Sequence, residues 1–176
     1  MDEGKILNYQ VYFGADHGGW QLKNKLLAWL QTQPISGKNF ACHDFGAYQF
    51  DLGDDYPEFG LEVARALASA RATNTSDQDP TVWGILLCRS GSGMAIVANR
   101  FKNVRAVVCR SLADAQHARE HNNANILVLE ADHLDENKAR EITRAFLQPY
   151  GIEESDKLRH RRRLAMFNEL GESVKN

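Results

Sequence analysis

The sequence predicts a single doubly wound α/β domain: a five-stranded parallel sheet with helices on both faces, followed by a C-terminal helix. Three observations carry this. Short apolar runs of strand length alternate with longer amphipathic segments, the order from which strand–helix–strand units build parallel sheets. Val82–Leu87 is apolar without interruption, as a strand covered on both faces requires. The length, 176 residues, suits one domain with a real hydrophobic core.

Tyr9–Gly14 reads as the first strand, ending at Gly14. Trp20–Gln31 reads as a helix, because Leu22, Leu26, Leu27 and Leu30 share one face. Phe40–Phe45 is the second strand, and Tyr56–Ala72 a helix with Phe59, Val63, Leu67 and Ala70 in one stripe. Thr73–Pro80 is polar and lacks a period, which marks a surface loop. Val82–Leu87 is the third strand; Gly91-Ser92-Gly93 follows, then a helical stretch over Met94–Phe101. Val104–Cys109 is the fourth strand, Leu112–Glu120 a helix, Ile126–Leu129 the fifth strand and Glu136–Leu147 another helix. Asp156–Glu172 closes the chain as a helix charged at its start and apolar at Leu164, Met166, Phe167 and Leu170. One domain is expected over 1–176, with its core in about 8–150. Crossovers in such a Rossmann-like sheet are right-handed. Ligands bind beyond the carboxyl ends of its strands, which singles out the loops after Gly14, Phe45, Leu87, Cys109 and Leu129.

Composition excludes several classes. A net charge of -2 gives no general attraction to nucleic acid or to an anionic membrane. No stretch has the ~20 apolar residues of a membrane span. Met1–Lys5 has neither the basic region nor the apolar core of a signal peptide. The three cysteines, Cys42, Cys88 and Cys109, are odd in number and widely spaced, which argues for a reducing compartment. A cytoplasmic protein is expected.

Four stretches can carry chemistry. Gly14-Ala15-Asp16-His17-Gly18-Gly19 puts a carboxylate and an imidazole at a strand end. Asp16 fits an orienting partner for His17, a sugar-hydroxyl ligand or a helix N-cap. Cys88-Arg89-Ser90-Gly91-Ser92-Gly93-Met94 is a small-residue turn into a helix, whose free backbone N–H groups suit a phosphate or a developing oxyanion. The helix start and the Arg89 guanidinium are expected to lower the Cys88 pKa; the alternative is an inert, buried strand-end cysteine. His117-Ala118-Arg119-Glu120-His121 fits an H-x-x-E-H zinc pattern, or else His121 is a proton-transfer group at a helix end with Asn122 as its hydrogen-bonding partner. Arg159 and Arg163 lie four apart on one helix face, a spacing that suits a phosphate clamp or a solvated basic patch.

Read together, these segments resemble the ribose-5-phosphate isomerase type B family, which also includes galactose-6-phosphate isomerase subunits. The matching residues are Gly14–Gly19 with Leu22-Lys23, Asp44-Phe45-Gly46, Asp55-Tyr56-Pro57, Ser90–Met94 with Ala98-Asn99, Val104-Arg105-Ala106, Arg119–Asn125, and Arg159-His160 with Arg163. The resemblance implies an aldose–ketose isomerase that needs no metal or cofactor. It implies a homodimer, with a tetramer as a further option, and active sites shared between subunits. Cys88 matches the base that moves a proton between C1 and C2; some members place a glutamate where Met94 stands. His121 matches the ring-opening residue, supplied by the partner chain. Asp16, His17 and Asn122 match substrate-binding positions, and Arg159 and Arg163 match phosphate-binding positions. Ser90, with the N–H groups of Gly91, Ser92 and Gly93, is expected to hold the substrate and its enediolate. Ribose 5-phosphate is the expected substrate; a tetrose or hexose phosphate is the alternative within the family.

Two positions depart from the family. Arg89 stands where a glycine usually follows the cysteine, and Asp132 stands where an arginine helps to bind phosphate. Arg89 is expected to contact substrate and restore the missing positive charge. Two readings outside the isomerase class compete: a non-catalytic sugar-phosphate-binding protein, motivated by Arg89 and Asp132, and a zinc hydrolase built on His117 and His121.

Overall fold

A computed structural model describes residues 9–72, 81–149, 154–168 and 170. The loop expected over 73–80 lies outside them. Five strands, β1 (Tyr9–Ala15), β2 (Phe40–Asp44), β3 (Val82–Cys88), β4 (Ala106–Val108) and β5 (Ile126–Glu130), form one parallel sheet in the order β2-β1-β3-β5-β4. Six helices accompany it: α1 (Trp20–Thr32), α2 (Tyr56–Ala72), α3 (Ser92–Ala98), α4 (Leu112–Asn122), α5 (Glu136–Leu147) and α6 (Glu154–Asn168). None of the described helices is long and apolar enough to cross a membrane.

The sheet separates two cores. On one face Val11, Phe13, Ile85 and Leu127 pack against Leu26 and Leu30 of α1, Ala115 of α4, and Ile142 and Phe146 of α5. On the other, Leu86, Cys88, Ile126 and Val128 pack against Val63 and Leu67 of α2 and Met94 of α3. Alternate residues of β3 and β5 thus face opposite layers, which explains why both strands are apolar throughout. Strand order reverses beside β1: the connection from β1 leads outward to β2, while that from β3 leads to the other half of the sheet. The crevice between the carboxyl ends of β1 and β3 is therefore the switch point where such sheets take ligands.

Three elements are trimmed by more than one residue against the sequence expectation. The third helix starts at Ser92 and stops at Ala98, short of Phe101, because the Asn99 side chain leaves the helix to bond the backbone of Ala106 in both directions, at 2.8 and 2.9 Å. The fourth strand shrinks to Ala106–Val108: the Arg105 N–H donates to Asn125 Oδ1 at 2.7 Å, so a side-chain amide takes the place of a ladder partner. The last helix ends at Asn168, a weak helix former, and the Leu170 N–H closes a turn on Phe167 O at 3.0 Å.

Lys23 of α1 is fully buried, its ammonium donating to Asp44 Oδ1 at 2.6 Å and to Ala47 O at 2.7 Å. It pins the end of β2, and the loop that follows, to α1. Lys23→Met leaves Asp44 without its cation and is expected to lower the unfolding free energy by about 3 kcal/mol. Urea denaturation reads this directly, and an unchanged midpoint refutes it.

Candidate active site

The switch point gathers residues from β1, β3 and the loop after β2. Asp16 follows β1 and is buried; its Oδ1 accepts the Gly19 N–H at 3.1 Å. That bond closes a turn ahead of α1, whose N-cap is Gly19 without a side-chain cap, so the capping reading of Asp16 is not met. Burial, the dominant cause, raises the Asp16 pKa against the lowering effect of that N–H and of His17. His17 is fixed twice by one carboxylate oxygen: Asp54 Oδ1 accepts its backbone N–H at 3.0 Å and lies 2.7 Å from its Nδ1. The bond to Asp54 raises the His17 pKa. Asp54 Oδ2 is buried without a hydrogen-bond partner among the described residues. Sequence reasoning missed Asp54; its signal was a carboxylate in the loop beyond the second strand, one of the loops the strand-end rule names.

Cys88 ends β3 and is only 5% exposed. Its Sγ accepts the Gly91 N–H at 3.2 Å. The N–H groups of Met94 and Ser90 also lower its pKa, but burial outweighs them and the Asp16 charge adds to burial, so the net direction is upward. This corrects the sequence expectation of a depressed pKa. Glycine is needed around this turn. Gly91 has φ +73°, and a Cβ on Gly93 would lie 2.5 Å from the Tyr56 ring. Ser90 and Ser92 are exposed beside it. Met94 is fully buried in the core beneath. The Gly91 N–H, expected at an oxyanion, is instead directed at the sulfur.

Arg89 and Asp132, read separately in the sequence, form an ion pair: Arg89 Nε donates to Asp132 Oδ2 at 3.0 Å, with the side chains 69% and 41% exposed. The stem of Arg89 runs over Gly18, where any Cβ would collide with it, and its charge opposes protonation of His17. A second pair sits on the neighbouring strand ends, Arg110 to the buried Glu130 at 2.9 Å. Glu130 is the register partner of Cys88 across β3 and β5.

The remaining candidates lie at the opposite edge. Helix α4 runs antiparallel to the strands, so its C-terminal His121 and Asn122 lie near the start of β5, whereas Cys88 is level with the end of β5. Five residues of strand separate the two levels by roughly 16 Å. His121 Nδ1 lies 3.1 Å from Nε2 of His160 on α6, and the His117 ring stacks on His121 with centroids 4.2 Å apart. Arg159 and Arg163 are exposed on α6. Asn122 borders a cavity of about 320 Å³ together with Phe101, Arg105 and Phe167. Arg119 has a structural role: its guanidinium lies over Trp83 at 4.1 Å and donates to Ala124 O at 2.7 Å. No group of three or more His, Cys, Asp or Glu side chains among the described residues is arranged to hold a metal ion.

A doubly wound sheet that presents a thiol, a carboxylate and an oriented imidazole at its switch point is an α/β domain equipped for proton transfer on a small polar ligand. The chain belongs to the Ribose/Galactose Isomerase family of aldose–ketose isomerases, whose model matches residues 11–167. Ribose-5-phosphate isomerase B of Mycolicibacterium paratuberculosis is 40% identical over 121 residues, covering 67% of this chain and 65% of that relative. The ribose-5-phosphate isomerase B of Mycobacterium leprae is 33% identical over 165 residues, 92% of this chain and 89% of the relative. The crystal structure of ribose-5-phosphate isomerase B from Mycoplasma genitalium with bound ribulose-5-phosphate superposes with a TM-score of 0.76 at 30% identity, covering 92% of this chain and 95% of that one.

Asp54→Asn is expected to return the His17 pKa toward the ordinary value of about 6.5. The sign follows from the pair. Because the folded pKa is raised, the stability gained from His17 is full below the unfolded value and is lost as pH rises through the folded one. An NMR titration of the His17 ring checks the shift; identical titration curves in variant and parent contradict it.

Proposed function

We propose that the protein interconverts ribose 5-phosphate and ribulose 5-phosphate, with Cys88 as the base. The observation that carries this is the proximity of Cys88, Asp16 and His17 at the switch point of a family isomerase. The furanose opens first: His121 gives a proton to the ring oxygen as the C1–O4 bond breaks, and the Asp16 carboxylate takes the O1 hydroxyl proton, leaving a carbonyl at C1. The Cys88 thiolate then removes the C2 proton and returns it to C1. Charge gathers on oxygen in the enediolate, where the Ser90 hydroxyl and the Ser92 and Gly93 N–H groups act as donors. Arg159 and Arg163 hold the phosphate far from the reacting carbons and fix the orientation of the sugar, with Arg89, His17 and Asn122 completing the pocket.

One chain presents Cys88 and His121 at opposite edges of its sheet, so a complete site needs a second chain. A homodimer with two shared sites satisfies this, and Leu158, Met166, Phe167 and Leu170, all exposed on or just after α6, supply apolar surface for such a contact. The paired charges Arg89–Asp132 and Arg110–Glu130 beside Cys88 favour a second reading, in which the same chemistry serves a tetrose or hexose phosphate. Incubation of the protein with ribose 5-phosphate in D2O, followed by NMR, separates the two. Loss of the C2 proton signal with appearance of ribulose 5-phosphate supports the first reading. Exchange only with another sugar phosphate supports the second.

A further inference from the structure

His160 is 3% exposed, on a helix whose neighbouring Arg159, Arg161, Arg162 and Arg163 are all exposed. A buried imidazole in a basic solvent-facing stretch has a specific partner, and here it is His121: Nε2 of His160 lies 3.1 Å from Nδ1 of His121, with ring centroids 4.7 Å apart. His117, one turn earlier on α4, stacks against the same ring at 4.2 Å. His121 is therefore held by two imidazoles, and its Nδ1 is occupied. The atom left to meet a substrate is Nε2.

We propose that His160 is a positioning residue for ring opening: it donates its Nε2–H to Nδ1 of His121, and so fixes His121 in the tautomer that carries its proton on Nε2. Which imidazole nitrogen is protonated is set by the hydrogen bond that the other nitrogen makes. A proton on Nε2 is the one required to protonate the ring oxygen as C1–O4 breaks. The opposite tautomer offers a lone pair there and opens no ring by that route. This inference rests on the reading of His121 as the ring-opening group and adds the group that sets its tautomer.

The two substrates of the proposed reaction separate ring opening from enolisation. Ribose 5-phosphate closes to a furanose through O4. Ribulose 5-phosphate has its O5 esterified and its carbonyl at C2, so it forms no five-membered ring and stays open. Exchange of its C1 protons with D2O therefore needs the base but not the ring-opening acid. In His160→Ala, turnover of ribose 5-phosphate is expected to fall about tenfold or more, while C1 exchange of ribulose 5-phosphate stays within about twofold of the parent. His160→Gln keeps an N–H donor on the side chain and is expected to restore part of the lost turnover. In the parent, the ¹⁵N spectrum of the His121 ring is expected to show protonation at Nε2; this measurement stands even if the alanine variant fails to fold. A parallel fall in both assays, no fall in either, or a His121 ring protonated at Nδ1 overturns the proposal. A parent protein silent in both assays overturns the isomerase reading, and this inference with it.

Discussion

Cys88→Ala is expected to stop isotope exchange at C2 of ribose 5-phosphate, with a loss of roughly 10²–10⁴-fold, while the fold persists. The thiol sits in the core at the end of β3, so trimming one sulfur leaves the sheet intact, and the three backbone N–H groups around it (Ser90, Gly91 and Met94) belong to a turn set by Gly91. Those N–H groups favour a thiolate, but burial and the Asp16 charge dominate and raise the pKa. The pH profile follows in sign. The base must be ionised, so kcat/KM is expected to climb as pH rises through neutrality, with its ascending limb on the alkaline side of an ordinary thiol. A raised pKa also makes the thiolate, once formed, a stronger base toward a carbon acid. Retention of full exchange in Cys88→Ala assigns the proton transfer elsewhere. A profile already flat at neutral pH contradicts the upward shift.

Two inactive variants are expected to regain activity when mixed. Cys88→Ala disables the switch-point half of a site, and His121→Ala disables the half at the opposite edge. If each site combines one half from each subunit, a mixed dimer holds one site with both lesions and one site with neither. Random reassociation of equal amounts, by partial denaturation and dilution, makes about half of the dimers mixed, so about a quarter of the parent activity returns. If both halves of a site came from one chain, mixing would restore nothing.

Much of the architecture was legible because local pattern and tertiary environment agree. The apolar run of β3 is buried on both faces, and the stripes of α1 and α2 meet the sheet over the residue ranges their periodicity marks. Legibility failed where a distant side chain decides a local question. Asn99 and Asn125 replace backbone partners, which trims α3 and β4, and no periodicity announces that. The strand-end rule located Asp16, His17 and Cys88 because it depends on topology alone. It named the loop holding Asp54 without naming Asp54, since the pairing with His17 spans 37 residues. The direction of the Cys88 pKa was misread because helix-start N–H groups are visible in a sequence and the depth of burial is not. Arg89 and Asp132 each looked like an isolated departure from the family; 43 residues apart, they form one ion pair.

At the carboxyl edge of β3, β4 and β5 every guanidinium of the two pairs faces a carboxylate: Arg89 with Asp132, and Arg110 with Glu130. A dianion diffusing toward this edge gains little from these four charges, which cancel in pairs. Any long-range attraction that salt would screen must then come from charges outside these two pairs, such as Arg159 and Arg163 of α6. Discrimination at this entrance is short-range. The donors of Arg89 and Arg110 are already committed to their carboxylates, so a ligand at this edge engages them only by sharing or displacing those contacts.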